Sequence, residues 1–291
     1  MSIQWYPGHM HKARKQIKEA LPKVDLVIEI LDARLPHSSE NPVIAGLRGN
    51  KPCIKVLSKS DLADPDVTLQ WQQQLETEKG VKSLALTTQQ PSQIRQLPDL
   101  CRKLLPAKDK NYRTIHAMIV GIPNAGKSTL INILAGRTAV KVGNEPAVTK
   151  QQQLVKINDN LTLWDTPGIL WPKIDNPNSG YRLATSGAIK VTAMDYEDVA
   201  YFAAEYLLKM YPDNLQHRFK FDAIPQSEHD LLGAIAHKRG SIKAGGRVDY
   251  HKVAEILLTE LRSGALGRIS LETPAIIAQE EAQAALQKNN T

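Results

Sequence analysis

The chain has 291 residues, and its 37 lysines and arginines outnumber 30 aspartates and glutamates, for a formal net charge of +7. This length exceeds one typical domain, and no apolar run approaches the roughly 18 residues of a membrane-spanning helix. The two cysteines, Cys53 and Cys101, show no metal-ligand spacing, and so few thiols in a chain of this size favour a reducing cytoplasm. The positive charge favours a polyanionic partner without establishing one.

The first predicted element is a basic helix over residues 9–22, preceded by the segment Trp5-Tyr-Pro-Gly-His-Met10. Pro7 and Gly8 favour a defined turn at its start. Five cations lie along the helix against Glu19 alone: Lys12, Arg14, Lys15, Lys18 and Lys23. Such a run is usually a solvated face, and the alternative is contact with RNA through Lys12, Arg14 and Lys15.

A strand-like run, residues 53–57, leads into Ser58-Lys59-Ser60-Asp61. The Asp61 carboxylate is suited to accept two hydrogen bonds from guanine, through N1–H and the exocyclic amine, and adenine offers no matching pair of donors. The alkyl stem of Lys59 is suited to lie along the base. Ser58 stands where the motif Asn-Lys-x-Asp has asparagine, which affects nucleotide affinity more than the choice of base. The alternative is a solvated turn after a strand.

A third strand-like run, residues 81–88, ends in small polar residues. It is placed to supply a second loop against the base, through Leu86 and Thr87. The side chains match the usual Ser-Ala-Lys of such a loop poorly, so we expect backbone contacts. A linker near residues 106–115 follows.

Residues 121–129 read Gly-Ile-Pro-Asn-Ala-Gly-Lys-Ser-Thr, between a buried strand-like run and a helix-like one. In such a loop the backbone N–H groups point at phosphate oxygens, Lys127 contacts the β- and γ-phosphates and Ser128 ligates Mg²⁺. The helix dipole adds to phosphate binding. The predicted nucleotide contacts of this loop are Asn124, Ala125, Gly126, Lys127, Ser128 and Thr129.

The run 161–168 predicts a strand that ends in Asp165-Thr-Pro-Gly168. Asp165 is placed to hold Mg²⁺ through a water, and the Gly168 amide is placed to contact the γ-phosphate. The polar segment 140–153 is typical of a mobile loop, and Thr149 is its candidate Mg²⁺ ligand. The base motif therefore precedes the phosphate loop in the chain, which is the reverse of the usual order in nucleotide switches of this class.

Alternating strands and helices predict an α/β fold with a parallel-sheet core through residue 185. Helical spacing over 196–210, 227–238 and 249–263 predicts a small all-helical domain at 186–275, and 276–291 reads as a frayed helix or disordered tail. Gly245 and Gly246 would let a basic turn approach a phosphodiester backbone. The candidate RNA contacts of this domain are Lys238, Arg239, Lys243 and Arg247.

With the opening motif at 5–10, the order of the loops and the stretches 238–249 and 262–268, the chain resembles the circularly permuted GTPases of the bacterial ribosome-assembly family RbgA/YlqF. The resemblance covers roughly residues 3–273. It implies GTP hydrolysis, GTP/GDP and Mg²⁺ binding, and a role in late maturation of the large (50S) ribosomal subunit in the cytoplasm. Ribosomal RNA and ribosomal proteins would then be its partners.

Ile169 and Leu170 occupy the place where many GTPases carry a water-orienting glutamine, so catalytic help has to come from elsewhere. The resemblance implies that Asn124 holds a K⁺ near the phosphates. His9 is a second catalytic candidate, able to orient or deprotonate water, and the alternative is a surface histidine that contacts RNA or packs on Trp5.

Two other functions remain open from the sequence. One is an RNA-binding placeholder or chaperone in which GTP is structural and hydrolysis is incidental, as the missing glutamine would favour. The other is an ATP-dependent enzyme, against which Asp61 argues.

Overall fold

The computed structural model describes residues 3, 5–106, 108, 113–143 and 152–289. It divides into two compact units. We call the sheet unit the part formed by Tyr6–Pro172 together with the chain from Glu272 onward. We call the helical unit the part formed by Lys173–Leu271 together with the chain up to Trp5.

The sheet unit contains a six-stranded sheet in the described part of the chain, with the order β3-β2-β1-β4-β6-β5. All neighbouring strands pair in parallel except β5, which runs antiparallel to β6. The strands are β1 Leu26–Asp32, β2 Cys53–Ser58, β3 Val81–Ala85, β4 Ile115–Gly121, β5 Gln153–Asn158 and β6 Leu161–Asp165. The predicted parallel-sheet core is confirmed.

The direction of the chain across the sheet reverses between β1 and β4. From β1 the chain builds outward through β2 to β3, and it then returns to place β4 on the other side of β1. Ligands of open α/β sheets bind at such a switch point, outside the carboxyl ends of the strands. The loops after β1, β2, β3, β4 and β6 therefore share one edge of the sheet, although the chain reaches them in an unusual order.

Helices of the sheet unit mostly begin at proline, whose fixed φ suits the first helical position. The helix Gly8–Ala20 buries Met10, Ala13 and Ile17 on one face and exposes its cations on the other. The further helices of this unit are Pro36–Ser39, Pro42–Arg48, Pro65–Leu75, Pro91–Ile94, Leu97–Leu104, Lys127–Ala135 and Pro274–Asn289, with a 3₁₀ turn at Leu21–Lys23.

The helical unit contains the helices Pro177–Ser186, Tyr196–Met210, Pro212–Phe219, Glu228–Arg239 and Tyr250–Ser263, with a 3₁₀ turn at Val191–Ala193. Aspartate, asparagine or serine side chains cap most of their N-termini, and left-handed glycines end several of them. The three helices predicted beyond residue 190 are confirmed within one residue. One isolated bridge, between Ile242 and Val248, closes the basic turn that contains Gly245 and Gly246.

The boundaries between the two units fall at other residues than those that the sequence indicated. The chain leaves the sheet unit after Pro172, and the helix Pro177–Ser186 belongs to the helical unit, whereas the expected boundary was 185/186. The expected tail 276–291 returns to the sheet unit as the helix Pro274–Asn289. Burial of Ile277 in a cluster with Trp71 draws its first turn into the core.

Two strands were not predicted. The run Leu-Val-Ile-Glu-Ile-Leu-Asp that forms β1 is continuously apolar apart from Glu29 and Asp32, which is the signal of a strand buried on both faces. The strand β5 is largely exposed, so its sequence carries no such signal. No described helix of either unit is long and apolar enough to cross a membrane.

Glu29 lies in the middle of β1 and is 2% exposed. Burial, reinforced by the nearby Glu40 carboxylate, raises the pKa of Glu29 to about 7, against the pull of Lys55 and Arg48. Glu29 accepts a hydrogen bond from the Asn41 N–H at 3.1 Å. Its carboxyl is therefore protonated in the folded protein at mildly acidic pH, where the unfolded chain already ionises.

The substitution Glu29→Gln tests this assignment. As the pH rises from 5 to 8, the wild type loses stability because ionisation of Glu29 costs more in the folded state than in the unfolded one. The free energy of unfolding of Glu29→Gln relative to that of the wild type should therefore grow by about 1–3 kcal/mol. Urea unfolding at pH 5 and at pH 8 measures this difference in the free energy of unfolding. The control is Glu78→Gln, because Lys55 and Arg48 lower the pKa of Glu78, and this variant should instead lose stability at pH 8. A Glu29→Gln advantage independent of pH would contradict the assignment.

Candidate functional site

The phosphate loop leaves the end of β4 beside β1. Gly121 has φ 150°, and a Cβ built on it would lie 2.4 Å from the Ile30 carbonyl oxygen, so a side chain has no room there. Asn124 and Gly126 adopt left-handed conformations that curl the loop. Because Gly126 occupies the cap position of the helix Lys127–Ala135 and has no side chain to bond its first N–H groups, those groups remain available to an anion.

Lys127 is held under this loop. Its Nζ donates to the carbonyl oxygens of Gly121 at 2.9 Å and Ile122 at 2.8 Å. Burial lowers the pKa of Lys127 to about 8; Asp165 opposes the shift and Lys59 adds to it. A buried cation at the N-terminus of a helix is a strong electrostatic partner for phosphate oxygens.

The segment after β6 lies against the phosphate loop. The Thr166 hydroxyl donates to the Ile119 carbonyl at 2.7 Å, and the Ile169 N–H donates to the Gly121 carbonyl at 3.2 Å. A Cβ on Gly168 would lie 2.9 Å from the Pro123 Cα and 3.1 Å from the Lys127 Nζ. Gly168 thus stands directly over the loop, where its backbone can meet the terminal phosphate.

Asp165 has the properties of a Mg²⁺ ligand. It is 0% exposed, and burial raises its pKa against Gln153 and Lys127. Its Oδ2 accepts from the Gln153 amide at 3.2 Å, and its Oδ1 has no hydrogen-bond partner among the described residues. A buried carboxylate oxygen with no such partner suits a hard cation, directly or through water, and Ser128 offers a hydroxyl in the first turn of the helix after the phosphate loop. Ser128 and Asp165 therefore fit Mg²⁺, whereas Thr149 lies outside the described residues.

Ser58 connects the base loop, residues 58–61, to the phosphate loop, residues 121–129. Its Oγ lies 2.7 Å from the carbonyl oxygens of both Leu31 and Ala125, so its single proton can be donated to either. The hydroxyl therefore reaches the phosphate loop without the longer asparagine of the usual motif. The shorter serine thus still links the two loops.

Asp61 and the loop after β3 are held together. The Ser60 N–H donates to the Leu86 carbonyl at 3.2 Å, and the Gln89 side chain donates to Asp61 at 3.0 Å. Leu86 and Thr87 are buried, and the Thr87 hydroxyl accepts from the Gln89 N–H at 3.1 Å. Gln89 was not singled out from the sequence, since a loop glutamine carries no distinctive spacing.

Asp32 and Arg34 were also missed. Asp32 ends β1 and Arg34 lies two residues beyond it, at the point where the sheet order reverses, and both are buried. The Arg34 side chain donates to Asp32 through Nε at 2.9 Å and through Nη2 at 2.7 Å, and the Lys59 Nζ lies 2.9 Å from the Asp32 Oδ2. A charged pair directly after an apolar strand was the available signal.

The two apolar residues after Gly168 are fixed on both sides. Asn41, 0% exposed, donates its side-chain amide to the Ile169 carbonyl at 3.3 Å, and the Leu170 N–H lies 3.4 Å from the Met10 sulfur. Met10 is buried, and the neighbouring His9 is exposed on the same helix. The opening motif therefore lies beside the segment after Gly168.

The candidate RNA contacts differ in their surroundings. Lys12, Arg14 and Lys15 are exposed and form no ion pair within the described part of the chain. In the helical unit, Arg239 pairs with Glu260 at 2.8 Å, Lys243 pairs with Asp249 at 3.3 Å, and Lys238 donates to the Lys220 carbonyl at 2.9 Å. Arg247 is exposed in the turn between the bridged residues.

Comparison with known proteins decides the family. A family described as 50S ribosome-binding GTPase matches residues 116–209. The ribosome biogenesis GTPase A of Priestia megaterium is 45% identical over 283 residues, which cover 94% of this chain and 98% of the relative. The chain belongs to the ribosome biogenesis GTPase A family.

More distant members of this family agree. The ribosome biogenesis GTPase A of Thermotoga maritima is 32% identical and spans 94% of this chain and 95% of its own length. The crystal structure described as GNP-bound YlqF from T. maritima has a TM-score of 0.64 at 27% identity, covering 90% and 98% of the two chains. The fold is that of a circularly permuted GTPase, as the order of the loops indicated.

As a ribosome biogenesis GTPase, the protein binds GTP and GDP and hydrolyses GTP in ribosome assembly. The site matches this activity in kind. One edge of the sheet carries a phosphate loop, the buried carboxylate of Asp165, Gly168 against the phosphate loop, and the loop at residues 58–61.

The substitution Gly168→Ala tests the contact between Gly168 and the phosphate loop. The added methyl group would force the two segments apart, so GTPase kcat/KM should fall at least about tenfold. Gly46→Ala is the matched control, because a Cβ on Gly46 meets nothing within 4 Å. This control should keep full activity and gain slightly in stability. Wild-type activity in folded Gly168→Ala would contradict the assigned geometry.

Proposed function

We propose that this ribosome biogenesis GTPase acts in late maturation of the large (50S) subunit, where its sheet unit hydrolyses GTP and its helical unit contacts ribosomal RNA. The description of the matching family as 50S ribosome-binding carries the choice of subunit. The site residues proposed for the nucleotide are those predicted from the sequence, together with Gln89.

The proposed roles follow the geometry of the site. Lys127 and the first N–H groups of its helix bind the phosphates, and the Gly168 backbone senses the terminal one. Ser128 and Asp165 hold Mg²⁺, which supplies charge neutralisation when bound, and Thr149 is proposed as a further ligand. Asp61 accepts the guanine donors, with Lys59 along the base and the backbone of Leu86 and Thr87 at its edge.

Hydrolysis needs a group that orients water, and the place of the usual glutamine is taken by Ile169, which is 1% exposed. We propose His9 for this role, because its helix neighbour Met10 contacts the Leu170 backbone. We also propose that Asn124, held in a left-handed conformation within the loop, helps to bind K⁺ near the phosphates.

The proposed RNA surface has two parts. The exposed cations Lys12, Arg14 and Lys15 line one face of the first helix. In the helical unit, the glycine turn presents Arg247, and Lys238, Arg239 and Lys243 are available once a phosphate competes for their internal partners. Exposed ion pairs are weak, so such an exchange costs little. This pattern suits recognition of RNA by shape and phosphate.

A second candidate function is an RNA-bound placeholder in which GTP is mainly structural. The buried apolar Ile169 in place of glutamine favours it. Stimulation of hydrolysis by its target separates the two functions, because a placeholder has no need of it.

Steady-state GTP hydrolysis with large or small ribosomal subunits tests the proposal. Large subunits should raise kcat at least about tenfold and small subunits should not. His9→Ala should remove most of this gain while leaving GDP affinity unchanged, and His11→Ala on the same helix is the control. Equal rates with both subunits would overturn the large-subunit role, and a fully stimulated His9→Ala would remove His9 from the mechanism.

We also propose that the segment 165–168, which we call the switch segment, acts on the helical unit through the chain that connects them. Gly168 is followed by only four residues before the chain enters that unit at Lys173. Loss of the γ-phosphate would release the Gly168 backbone and the adjoining Ile169 contacts.

Hydrogen exchange in the GTP-analogue and GDP states measures this coupling. Residues 169–185 should be more protected with the GTP analogue, whereas the remote helix Glu228–Arg239 should exchange equally in both states and serves as an internal control. Identical protection of 169–185 in the two states would contradict the coupling.

A further inference from the structure

The carboxylate of Asp32 lies where the base loop begins. Asp32 is the last residue of β1, and its register partner on β2 is Ser58, the first residue of the base loop. The Ala33 N–H also donates to the Ser58 carbonyl at 2.9 Å. The turn after β1 and the base loop are therefore bonded side by side.

Two cations share this carboxylate. Arg34 donates to both of its oxygens, and the Lys59 Nζ donates to Oδ2 at 2.9 Å. Burial by itself would raise the pKa of Asp32, but Arg34 and Lys59 outweigh it and hold the pKa well below its usual range. Asp32 therefore stays ionised and keeps both cations in place.

Lys59 needs such a fixed partner. Its φ of 55° lies in the left-handed region, which a lysine adopts only where surrounding contacts compensate. Arg34 extends the same network, since it lies close enough to Asp61 for their charges to interact. One of its nitrogens, Nη1, is buried and has no hydrogen-bond partner among the described residues.

We propose that Asp32, held by Arg34, is a positioning residue for guanine recognition. It fixes Lys59 in its strained turn and thereby places the Asp61 carboxylate opposite the hydrogen-bond donors of the base. This inference rests on the base site of the proposed function. Asp32 itself touches no base, so its effect should appear in discrimination between bases and not in the chemistry of hydrolysis.

The readout is the ratio of Kd for IDP to Kd for GDP, measured by titration of the full chain. The two nucleotides share the diphosphate and differ in the exocyclic amine, so changes in phosphate attraction cancel. Asp32→Asn and Lys59→Met should each lower this ratio about tenfold. The double variant should lower it no further than either single variant, since both remove one interaction.

The matched control is Lys55→Met. Lys55 is a buried lysine of β2 that pairs with a carboxylate, Glu40 at 2.6 Å, outside the site. Its loss should lower thermal stability and leave the IDP/GDP ratio unchanged. If Asp32→Asn does not fold, Arg34→Lys, which keeps the charge and loses the two-pronged bond, should lower the ratio in the same direction.

Asp61→Asn separates this inference from the base site on which it rests. An unchanged ratio in Asp61→Asn would overturn the base site itself. A collapsed ratio in Asp61→Asn with a wild-type ratio in folded Asp32→Asn or Arg34→Lys would overturn only the positioning role. Additive effects of Asp32→Asn and Lys59→Met would overturn it as well.

Discussion

The closeness of β1 and β4 at their carboxyl ends is the constraint on which the site depends. The Gly121 Cα faces the Ile30 carbonyl with no space for a side chain between them. This approach sets the phosphate loop beside the turn that carries Asp32 and Arg34, and it brings the Ala125 carbonyl within 2.7 Å of the Ser58 hydroxyl. The phosphate loop and the base loop are thus joined through the Ser58 hydroxyl, which lies between the backbone oxygens of Leu31 and Ala125.

The rotated order of the loops changes the mechanics of this site more than its chemistry. The sheet order returns each loop to the edge where a nucleotide can be bound, whatever its place in the chain. The mechanical difference lies in the segment after Gly168. The Ile169 carbonyl accepts a hydrogen bond from Asn41, and the Leu170 N–H donates one to the Met10 sulfur. The chain then passes into the helical unit. The segment after Gly168 is therefore held by the first helix and continues into the helical unit.

Charge burial shapes the sheet unit at two places, with opposite consequences. At Glu29 burial prevails, and the carboxyl holds its proton up to about neutral pH. At Asp32 two cations prevail over burial, and the carboxylate stays ionised. The first costs stability at neutral pH, and the second fixes a loop. Lys127 is also buried, and a bound phosphate would compensate its positive charge.

The sequence by itself determined the phosphate loop, the run 165–168, the base motif and hence the permuted order, because each motif is a contiguous run whose spacing reflects local backbone geometry. Apolar periodicity also predicted helices over 196–210, 227–238 and 249–263, each within one residue of the observed bounds. Only the tertiary structure decided that Ser58 still reaches the phosphate loop, that Asp32 and Arg34 lie beside Lys59, and that Pro274–Asn289 returns to the sheet unit. These depend on contacts between residues far apart in the chain, such as the Trp71 indole with the Glu272 carbonyl, which no local pattern encodes.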